Sequence, residues 1–209
     1  MSLSDRLKKD FSTLALALIA VAIVINIVVG QFVSTLNLPI FLDSIGTVLV
    51  GILAGPWAGA LTGLLTNLIW GLISDPTTAA FAPVAMVIGL VAGLCARAGL
   101  FRTWWQAIIS GVLITLALSV VAIPIRVYLF GGVTGSGADF ITAYLLAASR
   151  DLFSSVLITV ITSNLLDKVV TALIAWLIVK GLPRRTVARF PRAEHVIDVP
   201  ATGIDVPAA

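Results

Sequence analysis

The chain has 209 residues, of which 59% are hydrophobic and only 11% charged, with a mean hydropathy of +1.12. A soluble domain carries about a quarter charged residues, so a soluble enzyme or a solvated binding module is excluded and an all-α integral membrane protein is expected. The net charge of +3 needs no nucleic acid or other polyanion, because cations collect on one side of a chain threaded through a bilayer.

Between Phe11 and Leu182 there are eleven charged residues, and they fall between or at the edges of apolar runs. Arg6-Leu7-Lys8-Lys9 ahead of the first run has the look of a signal peptide. However, Phe11–Val29 exceeds the usual hydrophobic core of about 7–15 residues, and Gly30-Gln31-Phe32 is a poor small-x-small cleavage site. The run reads as a retained first span, Phe11–Val33, ended by Ser34-Thr35-Leu36-Asn37 before Pro39. A short second apolar segment, Ile40–Ala54, carries Asp43 near its start. Gly55-Pro56 breaks the chain, and Pro56 suits the first turn of a third helix, Trp57–Ile73, which Asp75-Pro76 closes. A fourth helix, Phe81–Ala98, ends at the Arg97–Arg102 turn. A fifth, Trp104–Phe130, is expected to kink at Pro124. Gly131-Gly132-Val133-Thr134-Gly135-Ser136-Gly137 reads as a flexible loop. The last span, Leu166–Leu182, runs into Lys180 and Arg184-Arg185.

Ala138–Asn164 is apolar, yet Arg150-Asp151 sits at its middle, where a charge costs about 2.5–3.5 kcal/mol on insertion scales. If it crossed, the basic ends of the chain would face opposite sides. With six spans both termini and the Arg97–Arg102 turn share a side, and only Arg126, Arg150 and Lys168 of the thirteen Lys and Arg lie outside. The expectation is therefore six transmembrane helices, with an extra outer-face helix between the fifth and sixth. Residues 1–10 form a cytoplasmic N-terminal segment, 11–183 the membrane domain, and 184–209 a cytoplasmic, unstructured tail in which Ile197-Asp198-Val199-Pro200-Ala201 returns as Ile204-Asp205-Val206-Pro207-Ala208.

That topology gathers polar groups toward the outer leaflet: Asn26 and Gln31, then Asp43, Ser44 and Thr47, then Asn67 and Trp70, then Arg126 and Tyr128, then Asn164, Asp167 and Lys168. Polar atoms in hydrocarbon are costly unless paired, so each is a site candidate by default. Asn and Asp would orient a polar ligand, and Trp70 and Tyr128 would stack on a ring. Trp70 reads equally as an interfacial anchor, and Asn67 as an interhelical hydrogen bond. Asp43 is the foremost candidate, because it follows the apolar Pro39–Leu42 run.

Gly51, Gly55, Gly59, Gly63, Asn67 and Gly71 recur at every fourth position. Small residues at that interval let helix backbones approach closely. Packing within the chain and docking of a partner helix, at Gly59 and Gly63 above all, are both open; so they are for the looser stripe Thr13, Ala17 and Ala20.

No catalytic residue, metal site or cofactor is expected. Cys95 and His195 are the sole residues of their types, which leaves metal clusters and Ser-His chemistry without parts. There is no GxxxxGK[ST] phosphate loop, so ATP hydrolysis must come from elsewhere. Nor is there an inverted repeat of the kind that builds a stand-alone secondary transporter.

The size, the six spans, the spacing Asp43…Gly55-Pro56…Asp75-Pro76 and the ending Asn164-Leu165-Leu166-Asp167-Lys168-Val169-Val170…Lys180-Gly181-Leu182-Pro183-Arg184-Arg185 resemble a substrate-binding S component of an energy-coupling-factor (ECF) vitamin transporter, over about Phe11–Arg185. The resemblance implies capture of a vitamin or related micronutrient from outside a prokaryotic cell membrane. It implies a transmembrane coupling subunit and two cytoplasmic ATPase subunits as partners. Many members carry Ala-x-x-x-Ala in the first helix for the coupling contact, a pattern that Thr13, Ala17 and Ala20 approximate. Flavin, cobalamin, pyridoxine and nucleoside-like ligands all remain open. A non-transporting sensor or assembly protein and a self-sufficient small carrier are the alternative readings.

Overall fold

The computed structural model describes residues 10–190 and Arg192; Arg6, Lys8, Lys9, His195 and both copies of the tail repeat lie outside the described residues. Every regular element among the described residues is helical: α1 (Thr13–Thr35), α2 (Ile45–Leu53), α3 (Pro56–Ile73), α4 (Pro76–Ala80), α5 (Ala82–Arg97), α6 (Trp104–Pro124), a π-helical turn (Ile125–Leu129), α7 (Asp139–Ala147), α8 (Leu152–Gly181) and α9 (Arg184–Val187). Four units are long and apolar enough to cross a membrane: α1, α3, α6 with its π turn, and α8. α5 is apolar but shorter, at 16 residues.

Helix boundaries follow local chemistry. The Ser12 hydroxyl accepts from the Ala15 N–H at 3.2 Å and starts α1. Pro56 occupies the first turn of α3, where a missing N–H costs nothing. Thr103 and Gln106 form a reciprocal capping box on α6.

Three expectations need correction. The second apolar segment is helical only over Ile45–Leu53. Nine residues rise about 14 Å, well short of a hydrocarbon core of about 30 Å; Pro39–Ser44 before it is irregular, with Leu42 at φ 51°. The last helix begins at Leu152, far ahead of Leu166, and runs for 30 residues. The reason is Asp151, whose carboxylate accepts the Ser154 N–H at 2.9 Å. That bond holds its carboxyl below the ordinary range and makes Arg150-Asp151 a helix start. The chain beyond Arg184 is also not wholly unstructured: α9 follows, and Val187, Phe190 and Arg192 are buried.

The glycine ladder is an internal seam. The Ala85 carbonyl occupies the space a Cβ on Gly63 would need, and the Gly59 carbonyl the space of one on Gly89. Gly59 and Gly63 therefore bring α3 and α5 into backbone contact and present no docking surface. Thr13, Ala17 and Ala20 instead lie on the exposed side of α1, beside Leu16, Val21 and Val24. The main apolar core gathers Val48 and Ile52 of α2, Ile88 of α5, Ile114 and Leu118 of α6, and Val156 and Val160 of α8.

Candidate functional site

A cavity of about 400 Å³ is bounded by the last turns of α1 and α3, the start of α5, the π turn and the middle of α8. Eight of the candidates read from the sequence line it: Gln31, Asp43, Ser44, Asn67, Trp70, Arg126, Asn164 and Lys168.

Lys168 organises one wall. Although 98% buried by surface area (2% exposed), its Nζ lies 2.7 Å from Ser44 Oγ, 2.5 Å from Asp167 Oδ2 and 3.4 Å from Asp43 Oδ1. The other oxygen of Asp167 accepts the Phe41 and Leu42 N–H groups at 3.0 and 2.7 Å. Asp167 and Lys168 thus seize both sides of the Pro39–Ser44 segment, supplying partners that an irregular buried backbone needs. Asp167 is fully buried.

On the α1–α3 side, Trp70 is 6% exposed and donates through Nε1 to Gln31 Oε1 at 3.1 Å. Its ring lies across Gly30, where an added Cβ would come within 2.6 Å of the ring. Asn67 Nδ2 donates to the Thr78 carbonyl at 3.3 Å, tying α3 to α4. Asn164 Nδ2 donates to the Val160 carbonyl at 2.9 Å, one turn back on α8.

Arg126 sits on the π turn that follows Pro124. Such turns re-aim side chains that a regular helix would present elsewhere. Its Nε donates to the Gly132 carbonyl at 3.1 Å, and Nη2 forms a close ion pair with Asp139. Asp139 also accepts the Thr134 and Gly135 N–H groups at 2.9 and 2.7 Å. The glycine-rich stretch expected to be a free loop is therefore shaped around one ion pair. Gly137 lets it lie directly on the carbonyls of Asn37 and Leu38.

Asn26, Thr47 and Tyr128 stand off the cavity. Asn26 is fully buried; its Nδ2 donates to Thr47 Oγ1 at 2.8 Å and Thr66 Oγ1 at 3.2 Å, and its Oδ1 accepts the Gly46 N–H at 2.7 Å. Asn26 and Thr47 thus join α1, α2 and α3, and Asn26 satisfies a backbone donor at the start of α2, where Ser44 gives no side-chain cap. Tyr128 is 78% exposed on the outer surface. Conversely, Asp75, Thr77, Thr78 and Phe81 line the cavity without having been read as candidates. Asp75 caps α4, accepting the Thr77 N–H at 3.0 Å and the Thr78 hydroxyl at 2.9 Å. The Asp-Pro-Thr-Thr string carries that N-cap signal, though its position beside a void is a tertiary matter.

Carboxylates, amides, hydroxyls and aromatic faces border one partly open cavity among apolar helices, an arrangement suited to holding and orienting a small polar molecule. Neither a curated protein nor a solved structure matches this chain. The family model for the substrate-specific component of ECF transporters matches residues 14–179. The chain therefore belongs to the ECF transporter substrate-specific component family, whose members are membrane transporter subunits and not enzymes.

Proposed function

We propose that this chain is the high-affinity substrate-binding subunit of an ECF-type ABC importer, taking up a vitamin or related micronutrient from outside a prokaryotic cell. The observation that carries the reading is a mainly apolar cavity of about 400 Å³ with a few charged and amide side chains on its walls, inside a chain of this family. Buried polar groups in a membrane protein are retained where they serve a ligand or a pathway. Asp43, Gln31, Asn67, Trp70, Arg126, Asn164 and Lys168 contact the substrate, and Asn26 with Thr47 braces the helices beneath. Residues 11–183 form this binding domain, and residues 1–10 and 184–209 are cytoplasmic.

The chain crosses six times: α1, the Pro39–Leu53 segment that includes α2, α3, α5, α6 and α8. α7 then rests on the outer face. The placement of ten of the thirteen Lys and Arg on the inner side supports this topology. The exposed Thr13, Ala17 and Ala20 on α1 receive the transmembrane coupling subunit, and two ATPase subunits attached to it drive release inward. The small side chains favour a close helix–helix contact there.

Native mass spectrometry of the gently extracted full chain, paired with liposome assays, tests the reading. The expected result is a complex containing ATPase subunits and a small-molecule adduct, with tight binding but no uptake by the lone chain. Saturable uptake by the lone chain would overturn it in favour of a self-sufficient carrier.

A further inference from the structure

The charges around the cavity do not balance. Asp43 and Asp75 line it, with Asp139 and Asp167 directly behind as partners of Arg126 and Lys168. Four carboxylates thus face two cations, an excess of two negative charges, in surroundings where water screens them weakly.

The two cations are already engaged within the protein: Lys168 Nζ with Ser44 and two carboxylates, and Arg126 Nε and Nη2 with Gly132 and Asp139. Trp70 Nε1 is held by Gln31 and the two asparagine Nδ2 groups by backbone carbonyls, while among the described residues Gln31 Nε2 and Arg126 Nη1 have no partner. Three acceptors are open as well. Asn67 is only 5% exposed, yet among the described residues its amide oxygen has no hydrogen-bond partner, nor do the amide oxygen of Asn164 and Oδ2 of Asp43. All three residues border the cavity. An anionic ligand paired fully with either cation would compete with Asp139 for Arg126 or with Asp167 for Lys168. The first exchange would release the glycine-rich loop, and the second the Pro39–Ser44 segment.

We infer that the cavity takes an organic cation: a ring-bearing small molecule whose positive charge is received by Asp43, with Asp75 adding to the attraction. Its donors meet the open oxygens of Asn67 and Asn164, and its ring lies among Phe41, Trp70 and Phe81, faces that attract cations as well as rings. The inference rests on the binding reading above and narrows it to one charge class.

The test uses a small-molecule extract of cells separated by ion exchange into cationic, neutral and anionic fractions. Each is dialysed to equilibrium against the purified full chain, and retained compounds are identified by mass. Retention is expected from the cationic fraction alone. It should fall at least about tenfold in Asp43→Asn, as expected for a lost charge contact. A fall of roughly threefold is expected in Asp75→Asn, where asparagine still caps α4; this second variant decides the matter if Asp43→Asn does not fold. Retention from the neutral or anionic fraction, or unchanged retention in folded variants, would overturn the charge assignment and leave the binding reading standing. Retention from no fraction would overturn both.

Discussion

The two ends of the bundle each bury a charge cluster, and among the described residues the clusters are built with opposite excess. At the basic end the carboxylate of Asp10, fully buried, sits between two cations. Arg192 Nε donates to it at 3.0 Å, and Arg97 Nη2 lies 3.3 Å away. The Arg192 N–H also donates to the Leu53 carbonyl at 3.1 Å, so the segment after α9 is fastened to the end of α2. At the cavity end one cation, Lys168, lies between two carboxylates, and Asp43 keeps 25% of its side chain exposed. Buried ion pairs seldom add net stability, since desolvation offsets attraction, so each cluster needs another reason to exist. The first joins distant parts of the chain and borders no cavity residue. The second fixes a wall and leaves one carboxylate facing empty volume. A closed cluster reads as a staple, and a cluster with one open oxygen reads as a receptor.

The largest effect is expected where both roles coincide. Lys168→Met leaves Asp43 and Asp167 without their cation, and removing one partner of a buried pair typically costs about 3–5 kcal/mol. Thermal unfolding in detergent should shift down accordingly, and retention of the compound held by the parent chain should fall more than about a hundredfold. Retained affinity would mean that this wall is scaffold alone, and the contrast between the ends would collapse.

Asp10→Asn is the matching change at the other end. It removes the carboxylate that Arg97 and Arg192 share and should destabilise by about 3 kcal/mol, while retention by the folded fraction stays within about twofold. Affinity falling in step with stability would show the two clusters to be coupled parts of one device.

Between these in position, and smaller in effect, is Asn26→Ala. It removes the partner of the Gly46 N–H and of two threonine hydroxyls, an expected loss of about 1–3 kcal/mol. Unfolding midpoints check the stability term; dialysis checks that retention changes far less than in Lys168→Met.

How much of this was legible in the sequence depended on range. α1, α3, α5 and α6 follow apolar runs and their Pro, Gly and Ser boundaries, so counting along the chain finds them. α8 escapes such counting because Arg150-Asp151 reads as a charge inside an apolar run until Asp151 is recognised as an N-cap. The irregular Pro39–Ser44 segment carries no local signal for its conformation; it is held by Asp167, 125 residues from Leu42. The site divides in the same way. Depth in the bilayer nominated Asn26 as readily as Asn67, because polarity and depth do not reveal whether an amide faces a neighbouring helix or a void. Asp75 reads along the chain as a helix terminator in a turn, and its place beside the cavity depends on tertiary packing. The family resemblance rests on size, the span count and motif spacing along the whole chain, so it does not need the role of any one side chain.

Tyr128 offers the smallest effect and the sharpest check on the cavity's boundary. By sequence it belongs with Arg126, two positions away, but on the π turn the two side chains part. Arg126 is 4% exposed and lines the cavity, whereas Tyr128 is 78% exposed. Exposed aromatic residues at the ends of membrane helices commonly sit at the headgroup level, and nearby Phe140 and Tyr144 are exposed as well. Tyr128→Leu keeps an apolar body and removes the ring and hydroxyl, so stability should move by no more than about 0.5 kcal/mol and retention should not change measurably. A tenfold loss of retention would place Tyr128 against the ligand. That would require the π turn to rotate when the cavity fills, carrying Arg126 away from Asp139 and opening the loop that the pair now holds.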